Sequence, residues 1–134
     1  MLSQTTEYAI RAIIHIAREA PRSRRLMEVV SAIDAPPRYL AKILSQLTHA
    51  GYLRSTRGPA GGYSLSPRAA DVSLAAIAAV FERPHPHDCL LGTGPCGQNP
   101  DCPVHLRWAP IASSMSAFLA RTTVAELVSS RPPL

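Results

Sequence analysis

The sequence predicts a mainly helical fold with one small β-hairpin. Apolar residues recur at helical spacing over most of the chain, and Gly and Pro interrupt them where helices would begin or end. Two short strand-like segments flank the glycine-rich turn at residues 58–62. A chain of 134 residues is long enough for one domain with a modest core, or a small domain with an appendage.

The first half of the chain predicts three helices. The first is expected at residues 4–20, because Ser3 is a suitable N-cap and apolar residues then recur at helical spacing. A short second helix is expected at residues 26–33. Pro37 suits the first position of a third helix, which should end at Gly51. Two helices joined by a tight turn that contains proline are typical of a helix-turn-helix.

A β-hairpin is expected directly after the third helix. Residues 52–57 and 63–66 have the composition of short strands, and the intervening glycines can adopt positive φ. Three helices followed by a hairpin form a winged helix-turn-helix. We therefore assign residues 1–70 to a winged-helix region and residues 71–134 to a second region.

The distribution of charge favours a polyanionic partner for the first region. Residues 1–70 carry ten Arg or Lys and four acids, whereas residues 71–134 carry four and five. Thirteen of the fourteen basic residues are Arg, whose guanidinium suits bidentate contact with phosphate or guanine. The alternative is that the Arg content reflects only a compositional bias of the genome.

The polar face of the third helix is the predicted DNA-reading surface. Hydrogen-bonding side chains on one helical face are what base edges in the major groove require, although any surface helix exposes polar residues. With the hairpin arginines and turn glycines, the predicted DNA-contacting residues are Arg38, Tyr39, Lys42, Ser45, Gln46, His49, Arg54, Arg57, Gly61 and Gly62. The expected partner is double-stranded promoter DNA with a palindromic site.

The second region predicts three further helices. A short helix is expected at residues 74–82 and a longer one at 103–122, in which Pro110 should introduce a kink or a split. Thr123 and Glu126 form a capping box that opens a last short helix. Because two winged helices are needed to read a palindrome, we expect the long amphipathic helix to form a homodimer. Alternatively, its apolar stripe packs only on its own domain.

Three cysteines and one histidine form the candidate metal site. Cys89, Cys96 and Cys102 are the only cysteines, and His105 follows the last of them by three positions. The segments between them are rich in Gly, Pro and polar residues, which is typical of a loop. An odd number of cysteines in a chain without an export-signal pattern argues against a disulfide framework. Thiolates prefer zinc, copper(I) or iron–sulfur iron.

Three interpretations of this site stay open. The cysteines can hold an iron–sulfur cluster, they can bind zinc with His105 as a closed structural site, or they can remain thiols that act as a redox switch or are idle. Zinc ligands more often come in pairs two to four residues apart, and the gaps between the cysteines here are wider. His85 and His87, which are interleaved with prolines, are interpreted as solvated linker residues.

The chain resembles the Rrf2 family of bacterial winged-helix regulators. Residues 2–12 are similar to the first helix of that family, the wing at residues 57–63 resembles its most characteristic stretch, and the three-cysteine loop lies in the expected place. The resemblance implies a dimeric DNA-binding regulator, expected here to be a repressor, with an iron–sulfur cluster that senses redox state, nitric oxide or iron.

The resemblance leaves the fourth ligand and the cluster type open. His105 matches the IscR-like members, in which a histidine three residues after the last cysteine completes a [2Fe–2S] site. Glu7 lies where NsrR-like members place an acid that reaches the [4Fe–4S] cluster of the other subunit. The first cysteine gap, of six residues, departs from the family pattern.

Other classes of protein are disfavoured. No Gly-rich nucleotide loop, nucleophile elbow or paired-carboxylate motif is present, so a thiol enzyme is only a remote alternative. A structural adaptor is disfavoured by the wing arginines. No apolar run is long enough to span a membrane and no export-signal pattern is present, so we expect a cytoplasmic protein without a membrane partner.

Overall fold

A computed structural model of the chain describes residues 2–83, 89–92 and 94–130. The elements are six helices and one hairpin within those ranges, in the predicted order. They are α1 (Gln4–Arg18), α2 (Leu26–Ile33), α3 (Pro37–His49), β1 (Leu53–Thr56), β2 (Gly62–Leu65), a 3₁₀ turn (Pro67–Ala69), α4 (Leu74–Phe81), α5 (His105–Arg121) and α6 (Val124–Ser129). Of the sequence interpretations, those on His85 and His87 lie outside the described residues.

Most helix ends follow the local signals in the sequence. The hydroxyl of Ser3 accepts a hydrogen bond from the backbone N–H of Thr6 and caps α1. The helix α2 ends at Ile33, as predicted, and the next residue, Asp34, adopts a left-handed conformation with φ of 52°. Pro110 does not split α5, which runs through it. The proline deprives only the carbonyl of Leu106 of a helical donor, and Leu106 is 87% exposed, so water can bind there instead.

One hydrophobic core spans both predicted regions. The helix α1 lies at its centre and contacts α2, α3, α4 and α6. Its most buried apolar side chains come from α1, α2, α3, α4 and α6, namely Ala9, Ala12, Ile13, Ile16, Val29, Leu40, Ile43, Leu44, Leu47, Ile77 and Val124. The second region therefore helps to hold the first in place. Among the described helices, none combines the length and hydropathy that crossing a membrane requires.

The hairpin is fastened to the segment before α2. Its two strands are antiparallel, with Leu53 opposite Leu65. Arg24 and Tyr63 exchange backbone hydrogen bonds of 2.8 and 2.7 Å, so residue 24 forms a bridge to β2. Gly62, with φ of 139°, allows this approach, because a Cβ atom there would lie 2.5 Å from the carbonyl oxygen of Arg24.

Candidate nucleic-acid interface and cysteine site

The helix α3 separates a buried apolar face from an exposed polar face. Pro37 occupies its first turn, and Leu40, Ile43, Leu44 and Leu47 are buried in the core. The side chains predicted to contact DNA follow the same helical period on the other side. The exposed members of that set are Arg38, Lys42, Ser45, Gln46 and His49. The fold thus presents five predicted residues on one surface, next to the hairpin.

Tyr39 differs from the other predicted DNA-contacting residues on α3. It is half-buried, its ring meets that of Tyr8 edge to face with 5.8 Å between centroids, and its hydroxyl is hydrogen-bonded to that of Thr5. The guanidinium of Arg11 lies 5.7 Å from the centre of the Tyr8 ring. Tyr39 therefore attaches α3 to the first turns of α1, whatever contact it makes with DNA.

The wing exposes its predicted arginines and packs its predicted glycines. Arg54 and Arg57 are exposed, one on β1 and one directly after it. Gly61 is buried, and a Cβ atom there would lie 2.4 Å from the carbonyl oxygen of Thr56. Together with the contact of Gly62 with Arg24, this gives both glycines a packing role. Their predicted contact with DNA stays a prediction.

Two arginines at the base of the wing were not among the predicted residues. Arg24 forms ion pairs with Glu19 and, at 2.7 Å, with Glu28, and the hydrogen bond that its guanidinium donates to Glu19 raises the pKa of Arg24. Arg25 donates to the carbonyl of Pro59 in the wing turn. The sequence of residues 22–25 shows that this turn is basic, but not that neighbouring acids neutralise Arg24. Arg24 therefore supports the wing and offers DNA little charge.

A polar groove separates α3 from the wing. Its volume is about 260 Å³, and it is lined by Ser45, Thr48, His49, Ser55 and Tyr63. The Thr48 hydroxyl is already bonded to the carbonyl of Leu44 at 2.7 Å. Residues 55 and 63 were not predicted to face α3, because their position depends on how the hairpin docks and not on local sequence. The groove continues the polar surface from α3 to the wing.

The four predicted ligands on the cysteine loop come together as two pairs. The Sγ atoms of Cys89 and Cys102 are 3.6 Å apart, and the Sγ atom of Cys96 is 3.2 Å from Nδ1 of His105. His105 is the first residue of α5, so one ligand is held by a regular helix. Within residues 2–83, 89–92 and 94–130, no group of three or more His, Cys, Asp or Glu side chains is placed to hold one metal ion.

Turns around left-handed glycines shape the loop. Gly92, Gly94 and Gly97 all have positive φ. The backbone N–H of Leu91 points to the sulfur of Cys89 at 3.4 Å, and the N–H of Cys89 donates to the carbonyl of Gly94 at 2.9 Å. The Leu91 donor favours a thiolate at Cys89 and would tune a metal bound to it. The sequence had indicated a loop, and these contacts show how it folds back on Cys89.

Two carboxylates near the start of α1 have different environments. Glu7 is exposed, and its carboxylate makes no hydrogen bond or ion pair with the described residues. Glu82, which follows α4 and was not predicted, accepts hydrogen bonds from the Thr6 hydroxyl at 2.6 Å and the Ser3 N–H at 2.7 Å. Burial opposes ionisation of Glu82, but these donors hold its pKa below the ordinary value. Glu82 thereby ties the end of α4 to the start of α1.

Comparison with known proteins decides the family. Residues 2–130 match the profile of a family described as Rrf2, iron-dependent transcriptional regulator. The chain belongs to the Rrf2 family. The resemblance found in the sequence is thus confirmed, and the protein is a transcriptional regulator of a DNA-binding family.

Relatives of this Rrf2 protein include regulators of known name. It is 32% identical over 130 residues to the HTH-type transcriptional regulator IscR of Vibrio vulnificus, covering 96% of this chain and 77% of IscR. An HTH-type transcriptional regulator of Aquifex aeolicus is 28% identical over 131 residues, covering 96% and 91%.

Solved structures confirm the predicted fold class. CymR, the global cysteine regulator of B. subtilis, superposes with a TM-score of 0.78 at 24% identity, covering 96% of both chains. IscR of T. potens gives a TM-score of 0.72 at 21% identity, covering 96% of this chain and 85% of that one.

Proposed function

We propose that this Rrf2 regulator binds a palindromic promoter site as a homodimer, and represses transcription under the control of an iron–sulfur cluster held by residues 89–105. The pairing of the four loop ligands is the observation that carries the proposal. In this scheme residues 1–70 contact DNA, and residues 71–134 sense and dimerise.

The two ligand pairs suit a centre with two metal ions. On a tetrahedral metal with metal–sulfur bonds of about 2.3 Å, two thiolates are about 3.7 Å apart. The separation of 3.6 Å between Cys89 and Cys102 is close to that value. With a metal–nitrogen bond of about 2.1 Å, sulfur and nitrogen would be about 3.6 Å apart, and the Sγ atom of Cys96 and Nδ1 of His105 lie within that distance, at 3.2 Å. A [2Fe–2S] cluster needs one pair on each iron. These distances support that cluster type.

A single structural zinc ion is supported less well. Zinc of the Cys3His type gathers all four ligands around one point. The described residues supply pairs and no group of three, so that arrangement would require the loop to refold.

His105 is the preferred fourth ligand. Its Nδ1 atom already lies beside Cys96 within the same chain. Glu7 is exposed, and in this proposal it would become a ligand only by reaching the loop of a second subunit. A bound cluster would supply a centre that oxygen, nitric oxide or iron shortage can attack.

Anaerobic purification followed by iron, sulfide and zinc analysis tests the cluster. We expect about two iron and two sulfide per chain, with visible absorption, and His105→Ala should lose both while Glu7→Ala retains them. If Glu7→Ala alone loses the iron and sulfide, Glu7 and not His105 is the fourth ligand. One zinc per chain without acid-labile sulfide would refute the cluster.

The DNA-binding part is tested by the dependence of affinity on salt. Each phosphate neutralised by Arg or Lys releases counterions, so several such contacts lower the affinity by about 10³-fold or more between 50 and 200 mM salt. We expect this for duplexes that carry a palindromic site. An affinity that does not change over that range would contradict the proposed surface.

A further inference from the structure

We propose that in the cluster-free protein Cys89 and Cys102 form a disulfide when a hydroperoxide reaches the loop, while Cys96 stays reduced. The inference rests on the proposed function, because it describes a second state of the same sensing loop. It assigns the modification to one of the three possible cysteine pairs.

The positions of the sulfur atoms select this pair. The Sγ atoms of Cys89 and Cys102 are 3.6 Å apart, which is van der Waals contact, and a disulfide requires about 2.05 Å. The shift is small for a loop that turns on Gly92, Gly94 and Gly97. The sulfur of Cys96 instead contacts the ring of His105, which is fixed at the start of α5.

Burial sets the order of the steps. Cys89 is 7% exposed, whereas Cys102 is half-buried, so within this pair Cys102 is the thiol that a dissolved oxidant reaches more easily. The Cys102 thiolate attacks the peroxide O–O bond, giving a sulfenic acid and releasing hydroxide or alkoxide. The Cys89 sulfur then attacks the Cys102 sulfur and expels hydroxide. Two thiols lose two electrons in total, and the hydroperoxide is reduced to water and, for an organic peroxide, an alcohol.

The disulfide would join the entrance of the loop to the turn before α5. Cys102 is three residues before His105, and its carbonyl accepts the backbone N–H of His105 at 3.3 Å. The oxidised loop would stay closed, but both thiolates of one ligand pair would be consumed. The protein would therefore be unable to take up a cluster until a thiol reduces it.

Peptide mapping of the full chain tests the inference. Iron is removed anaerobically with a chelator, and the absence of iron and sulfide is confirmed. The protein is then treated with hydrogen peroxide, alkylated and digested without reductant. We expect the Cys89–Cys102 cross-link in most chains, with Cys96 as the alkylated residue, and failure to reconstitute with iron and sulfide until dithiothreitol is added.

Single substitutions supply the controls. Cys96→Ser should form the cross-link at the wild-type rate within about twofold, whereas Cys89→Ser should leave Cys102 as a sulfenic acid that dimedone traps. Cross-links that involve Cys96 in equal or greater amount, or alkylation of all three cysteines, would overturn the proposal.

The metal analysis before chelation reports on the cluster independently. A chain that never held iron but forms this cross-link would refute the cluster and keep the disulfide. A chain that holds the cluster but forms no cross-link after the cluster is removed would refute the disulfide and keep the cluster.

Discussion

At the scale of single residues, the side chains of α3 fall into two groups. The exposed ones are free to contact DNA, and the others pack the helix against the rest of the domain. Arg38 and Gln46 are exposed, whereas Tyr39 packs on α1. The two exposed residues have the donor and acceptor geometry for bidentate contacts with guanine and adenine respectively. Arg57, beside the wing turn, is suited to the phosphate backbone, which has the same charge at every sequence.

This division predicts different effects on specificity. Gln46→Ala or Arg38→Ala should reduce discrimination at one position of each half-site by about 1–3 kcal/mol. Arg57→Ala should weaken all sequences equally. The measurement is binding to a set of duplexes with single base changes at one salt concentration. Arg121→Ala, which removes the same charge from α5, is the control, and uniform weakening by Gln46→Ala would contradict the assignment.

Gly62 and Gly58 form a matched pair for the wing. Both have positive φ, but a Cβ at Gly58 meets nothing within 4 Å, whereas one at Gly62 would clash with the backbone of Arg24. Gly58→Ala should cost about 1 kcal/mol of unfolding free energy, the conformational cost alone. Gly62→Ala should cost about 1–3 kcal/mol more, measured by urea unfolding. If both variants lose the same unfolding free energy, the backbone bridge between Arg24 and Tyr63 can shift to accommodate the added Cβ atom.

At the scale of elements, local chemistry predicted most of the helices, but not the contacts that join them. Ser3, Pro37 and the capping box at Thr123 act on neighbours within four residues, so their effects are visible in the sequence. The hydrogen bond between Thr6 and Glu82 joins residues 76 positions apart. No local pattern encodes it, because it exists only once α1 and α4 have packed together.

Glu82 should stabilise the junction of α1 and α4 in a pH-dependent way. Its pKa is lowered in the folded state, so its contribution is present above the pKa of the unfolded chain and is lost as the pH falls through the folded value. Glu82→Gln should cost about 1 kcal/mol at pH 7, since the carboxylate is partly exposed. The difference from the wild type should shrink below about pH 4.5.

Urea unfolding across the pH range measures this difference. Glu7→Gln is the control, because that exposed carboxylate makes no hydrogen bond or ion pair with the described residues and its replacement should change stability by less than about 0.5 kcal/mol. A Glu82→Gln effect that stays constant down to pH 3 would show that the ionised carboxylate is not what stabilises the junction.

At the scale of the whole molecule, the sequence indicated the ligands but not their pairing. The spacing of Cys89, Cys96, Cys102 and His105 allowed one metal ion, a cluster or three thiols. Only the folded loop brings Cys89 beside Cys102 and Cys96 beside His105. Loop geometry of this kind depends on several positive-φ turns acting together, so residue order alone does not determine it.

The exposed face of α5 is where we expect the second subunit. Ile111 and Phe118 are 59% and 55% exposed, and their separation of seven residues places them on one side of the helix. In a monomer this apolar surface would stay in water, whereas a homodimer buries it and sets the spacing of the two α3 helices. Ser113, two positions after Ile111, lies on roughly the opposite side and is exposed.

Charge placed on this face should therefore dissociate the dimer. Ile111→Glu combined with Phe118→Glu would bring four carboxylates into the interface, and each one costs several kcal/mol to desolvate. We expect a monomer at micromolar concentration by analytical ultracentrifugation, with an affinity for the palindrome at least about tenfold lower. Ser113→Glu should remain a dimer that binds normally. A dimer that persists in the double variant would place the subunit contact elsewhere on the molecule.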